Sequence, residues 1–204
     1  MKTLALDAMG VIYAAGDDAV ELLCPFTHEH DGLSDDNRIE ALYPEASLGR
    51  ISAAQFWQQA GLEPALEDTY LHRHRLSTGI IEFLRAAKPA VSSVSCISNN
   101  VPEWSRKLKN RFDLQHFFDD LLISGNVGGR KTNPAIYRSV LEQTRTDAHD
   151  ILFVDDRLPN LNAAAVLVLQ TILFGPRVSA TPTHHRVAEN FNDLLSIISK
   201  LNRA

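Results

Sequence analysis

Ile151-Leu152-Phe153-Val154-Asp155-Asp156 is an apolar run closed by two adjacent acids. Its length and its β-branched and aromatic content read as a short strand, and the acids mark where it ends. Similar runs occur at Thr3 to Leu6, Val91 to Ile97 and Thr171 to Phe174, with a weaker one at Leu121 to Ser124. Between them lie segments with helical spacing: Gly79 to Ala87 behind Ser77-Thr78, Pro102 to Phe112, Asn133 to Thr144, and Asn160 to Leu167. Strands alternating with helices build βαβ units, so the sequence predicts an α/β fold, a parallel sheet with helices on both faces. Ligands of such sheets sit beyond the carboxyl ends of the strands, which directs attention to the residues just after each run.

Residues 15–76 break the alternation. Asp17 to Leu23, Ser52 to Ala60 and Leu66 to Leu71 carry helix formers, and no strand is expected among them. The sequence therefore predicts a core of residues 1–14 and 77–204 and a helical insertion of residues 15–76. The tail from Val187 to Leu201 sets Val187, Phe191, Leu194, Leu195 and Ile198 on one face, the pattern of a docking helix.

The 204 residues are 45% hydrophobic and 22% charged, a globular balance that excludes a disordered or collagen-like chain. Lys and Arg total 20 against 25 acids, and no basic run exceeds Arg130-Lys131, so a nucleic-acid partner, which needs clustered positive charge, is not expected. Cys24 and Cys96 stand far apart with no metal-ligand spacing, which predicts free thiols and a reducing, cytoplasmic setting. Asp7 cuts the first apolar segment short of an export signal, and no stretch reaches the ~20 residues of a membrane span. A soluble, unexported monomer or homodimer is expected.

Asp7-Ala8-Met9-Gly10 follows the first strand, Ser98-Asn99-Asn100 the second and Asp155-Asp156-Arg157 the fourth, while Arg130-Lys131 precedes the helix between the third and fourth. Taken singly, an aspartate after a strand is a turn or cap residue and Arg130-Lys131 a solvated pair. Adjacent acids, however, repel each other unless a cation or a donor lies between them. The topology brings all of these groups to one sheet edge, where three carboxylates, a lysine and a hydroxyl meet.

In that order the segments resemble the motifs of the haloacid dehalogenase superfamily, most of whose members are phosphatases. Leu4 to Val11 is similar to its first motif, Ser98-Asn99 to its second, Lys131 to its third, and Val154-Asp155-Asp156 through Asn160 to its fourth. Residues 15–76 resemble its small helical cap, in which Leu48-Gly49-Arg50-Ile51-Ser52 and then Phe56-Trp57 are similar to a recurrent segment. There Ser52 is expected to cap a helix, and Phe56 and Trp57 to anchor it. The resemblance implies a Rossmann-like core, Mg²⁺ as cofactor and a small phosphorylated substrate. It implies that Asp7 is the nucleophile and forms an aspartyl-phosphate. Ser98, Asn99, Met9 and Gly10 would surround the phosphate, with Lys131 offsetting its charge. Asp7, Asp156 and the Met9 carbonyl would hold the metal in the all-oxygen shell that Mg²⁺ prefers, with Asp155 and Asn160 behind them.

Met9 departs from the family pattern, because most such phosphatases place there a second Asp that protonates the leaving alcohol and later activates water. A thioether does neither, which implies slow turnover of ordinary monoesters beside intact metal binding. The alternatives are a phosphate-ligand binding protein that has lost turnover and a metal-independent hydrolytic dehalogenase. Asp155-Asp156 argues against the dehalogenase, and the absence of lysine from residues 15–87 argues against a phosphonate-cleaving relative that needs an imine former. His28 and His30 in the insertion are the expected substitute proton sources. The pairs His72/His74 and His184/His185 are not expected to bind metal. Val168 stands where similar sequences carry glycine at a left-handed helix end, so a different local turn is expected there.

Overall fold

The computed structural model describes residues 1–176 and 178–203. The apolar runs form the strands β1 (Thr3–Asp7), β2 (Ser93–Ser98), β3 (Asp120–Ile123), β4 (Ile151–Asp155) and β5 (Gln170–Phe174), and a further short strand, β6 (Arg186–Ala188), completes the sheet. All pair in parallel, in the order β3-β2-β1-β4-β5-β6. Successive residues of each strand serve opposite faces. Leu4, Leu6, Leu152 and Val154 enter one apolar cluster, and Ala5, Ile151 and Phe153 enter the other. Both faces are covered, which is why β4 carries no polar residue before its last position and β1 only Thr3.

The insertion is helical throughout its regular structure. A π-helical turn at Ala19–Leu23 leads into α1 (Cys24–Glu29), followed by α2 (Asp36–Ser47), α3 (Ala53–Gln59) and α4 (Glu67–Leu71). Sequence reading did not anticipate α2, whose polar composition and internal Pro44 blur its pattern; Asp35 starts it by accepting the Asn37 N–H. Ser52 and Gln55 form a reciprocal capping box on α3. Phe56 and Trp57 are fully buried.

The core helices are α5 (Ile80–Ala87), α6 (Pro102–Arg111), the single turn α7 (Ser124–Val127), α8 (Ala135–Thr144), α9 (Leu158–Ala165) and α10 (Phe191–Leu201). The insertion is pinned to α6 through Glu67, whose Oε2 accepts from both Trp57 Nε1 at 3.1 Å and Trp104 Nε1 at 2.9 Å. Val187 is not on the docking helix, contrary to expectation. It lies in β6 opposite Leu173, because Asn190 caps the Asn192 and Asp193 N–H groups and starts the helix after it. Phe191 then stacks on Phe83, with ring centroids 4.9 Å apart.

Val168 corrects a second expectation. It keeps the left-handed conformation, φ 65°, at the end of α9 instead of adopting another turn, and it is 70% exposed. A β-branched residue there costs about 1–2 kcal/mol, against the ~0.4–1 kcal/mol that glycine loses through unfolded-chain entropy. Val168→Gly is therefore expected to raise the melting temperature by about 1–3 °C in a thermal scan, with no effect on the sheet edge.

Candidate active site

Asp7, Ser98 and Asp155 are the last residues of β1, β2 and β4, and β1 lies between the other two. The chain leaves β1 for β2 and β3 on one side and returns to β4 on the other, so the edge beyond β1 and β4 is a topological switch point. Asp7, Asp155 and Asp156 each bring a carboxylate oxygen there, all within 4.8 Å of one another. Lys131, 2% exposed, reaches in from the loop before α8 and pairs with Asp7 and, at 2.7 Å, with Asp155.

The two adjacent acids differ in their surroundings. Asp155 is filled: besides Lys131 it accepts from the Arg157 N–H at 2.8 Å and from Asn160 Nδ2 at 3.0 Å to each oxygen. Asp156 leaves Oδ1 buried with no hydrogen-bond partner. Burial and the charge of Asp155 push its carboxyl up to about 6. Burial and Asp155 likewise hold Asp7 well above the usual carboxylate range, although Lys131 opposes them. Burial pulls the Lys131 ammonium down, but Asp155 and Asp7 outweigh it and keep the cation charged. Three carboxylates converge on one ammonium, and a divalent cation would balance the two negative charges that remain when all three are ionised.

Gly10 sits with φ +76° against the Asp156 carboxylate, and a Cβ at that position would lie 2.3 Å from Asp156 Oδ2. Its N–H is taken by the carbonyls of Tyr13 and Ala15, at 2.9 and 2.7 Å. Gly10 thus differs from the expectation that it binds phosphate: its N–H is spent, and what it provides is room for Asp156.

A model of haloacid dehalogenase-like hydrolases matches residues 1–167. The chain belongs to this family. Curated relatives include a drimenol cyclase from Aspergillus calidoustus, 34% identical over 49% of this chain and 20% of its own length. A glyceraldehyde 3-phosphate phosphatase from Pyrococcus abyssi is 31% identical over 37% and 32%, and a sesquiterpene phosphatase from Aspergillus oryzae 32% identical over 57% and 54%. The matches thus span a fifth to about half of these relatives. Among solved structures, a phosphatase of the family from Thermococcus onnurineus superposes with TM-score 0.73 at 17% identity, covering 97% of this chain and 98% of its own. A family enzyme from Bacteroides thetaiotaomicron, solved with magnesium and inorganic phosphate, gives TM-score 0.71 at 19% identity over 84% and 92%. At these identities the superpositions speak for the fold.

Beyond the carboxylates opens a cleft of ≈ 290 Å³, the low end of ligand pockets and a size for a small metabolite. Asp7, Met9, Ser98, Asn99, Lys131 and Asn160 all line it. Asn99 Oδ1 accepts the Lys131 N–H at 2.8 Å, tying the two loops together, and Ser98 Oγ accepts the Asn100 N–H at 3.1 Å, which leaves its own hydrogen free to donate. The insertion supplies the opposite wall through Gly16 to Ala19, Glu40, Tyr43 and Pro44. Sequence reading missed this wall, because nothing in local spacing says which insertion residues face the edge; Asn100, Arg130 and Arg157 on the core side it placed at the edge but gave no role.

His28 and His30, the expected substitutes for the missing acid, do not line the cleft. His28 pairs with Asp36 at 3.0 Å, and the His30 ring faces the Phe26 carbonyl at 2.9 Å. The histidine nearest this wall is His74, buried with Nε2 3.2 Å from Asp18 Oδ1. Asp18 also accepts from the Tyr43 and Tyr70 hydroxyls, so it serves as an acceptor. Burial pushes the Asp17 carboxyl up, but its pair with Arg157 and the Val20 and Ala19 N–H groups outweigh that and hold it below its ordinary value. Neither aspartate is placed as a proton donor. His185, held by Thr171 and Asn162, is a packed structural residue.

Proposed function

We infer that this chain is a phosphatase-like hydrolase that acts on a small phosphorylated substrate through Asp7, with Mg²⁺ as cofactor. The observation that carries the reading is the convergence of three carboxylates on one ammonium, with Asp156 Oδ1 left orphaned, next to a cleft lined by a free hydroxyl and a lysine. These residues fit a hard divalent cation, and Asp7, Asp156 and the Met9 carbonyl are the groups that would hold it. When bound, the cation offsets charge on the phosphoryl oxygens.

The remaining roles belong to the chain itself. An Asp7 oxygen attacks phosphorus, the bond to the leaving oxygen breaks, and the phosphoryl group passes to the aspartate before water releases it. Ser98 donates to a phosphoryl oxygen, and Lys131, held charged by Asp155, balances the developing negative charge. Asn160 holds Asp155 in place. Residues 15–76 act as the cap whose wall selects the substrate. Because Met9 gives no proton, leaving groups that depart unprotonated, acyl phosphates above all, are the best substrates.

The test is phosphate release from acetyl phosphate and p-nitrophenyl phosphate with and without Mg²⁺. Mg²⁺-dependent release supports the reading. Phosphate binding without release favours the second reading that Met9 raises, a binding protein that has lost turnover, and halide release from 2-haloacids in EDTA would favour a dehalogenase.

Asp156 gives a separate expectation. Its carboxyl is raised from 3.8 to about 6, so the folded chain holds a proton that the unfolded chain releases. That contribution to stability is fully present below pH ~4 and is lost as pH rises through about 6. Asp156→Asn is therefore expected to make the metal-free protein about 1–3 kcal/mol more stable at pH 8, while abolishing Mg²⁺ binding by calorimetry. Unchanged Mg²⁺ affinity in the variant would remove Asp156 from the metal site.

A further inference from the structure

Two donor groups on the core wall of the cleft, Arg130 and Asn100, have no anionic partner among the described residues. Lys131 is neutralised by Asp7 and Asp155, and Arg157 by Asp17, whereas Arg130 pairs with no carboxylate among the described residues. Its Nη1 donates to Ser47 Oγ at 2.6 Å, and its guanidinium stands 5.7 Å from the centre of the Tyr43 ring. Asn100 is 1% exposed, and its Oδ1 accepts from the Val101 N–H at 2.7 Å, while the Tyr43 hydroxyl, whose one hydrogen goes to Asp18, lies 3.4 Å from it. The Val101 bond fixes the amide with Nδ2 as a donor, and Nδ2 is buried with no partner. A buried donor left unmade is costly, and an oxygen acceptor from a ligand removes that cost.

Tyr43 places the two donors together. Its ring lies under Arg130, and its hydroxyl, donated to Asp18, lies 3.4 Å from Asn100 Oδ1, so one insertion residue packs against both. Both donors also flank the phosphate end of the cleft: Arg130 precedes Lys131, and the Asn100 N–H bonds Ser98 Oγ. The acids on the facing wall do not claim them: Asp17 is held by Arg157, Asp18 by Tyr43 and Tyr70, and Glu40 is exposed and makes no salt bridge with Arg130.

We propose that Arg130 and Asn100 form a second anion subsite, so that the substrate is a small phosphorylated compound carrying a second anionic oxygen group near its phosphate. This rests on the phosphatase reading above and adds to it the class of substrate. The second group is a carboxylate or a second phosphate, both of which present the acceptor oxygens that a guanidinium and an amide recognise.

The experiment titrates phosphonoacetate, methylenebisphosphonate, ethylphosphonate and inorganic phosphate into the Mg²⁺-loaded protein by calorimetry. None of the phosphonates is turned over as an ester. Phosphonoacetate or methylenebisphosphonate is expected to bind about tenfold or more tighter than ethylphosphonate, and the tighter of the two identifies the second group. Arg130→Met is expected to erase that gap and Asn100→Ala to cut it severalfold, while each variant keeps its ethylphosphonate affinity within about twofold. Ethylphosphonate thus reports folding of the phosphate end within the same sample. Equal affinities in the natural protein, a gap that survives both variants, or an Arg130→Met variant that loses ethylphosphonate and phosphonoacetate alike overturns the subsite. In the last case Arg130 holds the reacting phosphate instead. If inorganic phosphate itself fails to bind, the phosphatase reading falls along with the subsite.

Discussion

Asp7→Asn is expected to lower Mg²⁺-dependent phosphate release by at least about 10³-fold, the loss that follows removal of a nucleophile. The variant should fold. Asp7 is 4% exposed, and burial and Asp155 hold its carboxyl well above the usual range, so the folded state disfavours its charge as pH rises. A neutral amide removes that penalty, and Lys131 keeps Asp155 as its partner at 2.7 Å. Thermal stability at pH 8 is therefore expected to be equal or higher while activity is lost. Because Asp7 is assigned both nucleophile and metal ligand, activity alone does not separate the two roles. Labelling with radioactive acetyl phosphate and acid quenching does: the natural protein is expected to carry a hydroxylamine-labile label that Asp7→Asn lacks. A label that persists in the variant would place the phosphoryl acceptor elsewhere.

The parts of the molecule legible in the sequence were those governed by local rules. Buried parallel strands are apolar runs ended by polar residues, so the five longer strands and the acids, serine and lysine at one edge follow from spacing and topology. What escaped reading depends on packing between distant segments. β6 is three residues long and takes its register from β5, not from any pattern of its own. Arg130 reads as half of a solvated basic pair, yet α2 places Ser47 and Tyr43 against it and makes it part of a wall. Asn100 reads as a loop residue, and only the bond from the Val101 N–H shows that its amide nitrogen is left over. His28 and His30 were attractive as proton sources by composition, but α1 directs them to Asp36 and to the Phe26 carbonyl, away from the cleft. Val168 fails in the opposite sense: the rule about left-handed helix ends is sound, and the chain carries the strain regardless.

Met9→Asp is expected to raise turnover of an alkyl phosphate such as ethyl phosphate by about 10²-fold or more, within the 10²–10⁴ range of a positioned acid or base. Asp17 is paired with Arg157, Asp18 accepts from two tyrosines, and Glu40 is exposed at the rim, so no carboxyl is placed to protonate a leaving alcohol. Met9 is 9% exposed and lines the cleft beside Asp7, so an aspartate there would be largely buried next to existing carboxylates. Burial and like charge push such a carboxyl up, keeping its proton at neutral pH and making it a better acid. Acetyl phosphate, whose leaving group needs no proton, distinguishes the two half-reactions. In the natural protein its first turnover is expected to be a burst of about one equivalent followed by slow release, because nothing activates water against the aspartyl-phosphate. In Met9→Asp the burst should vanish into a faster steady state. A variant with unchanged ethyl phosphate turnover and an unchanged burst would mean that another group already supplies the proton, and that the thioether at position 9 costs the reaction nothing.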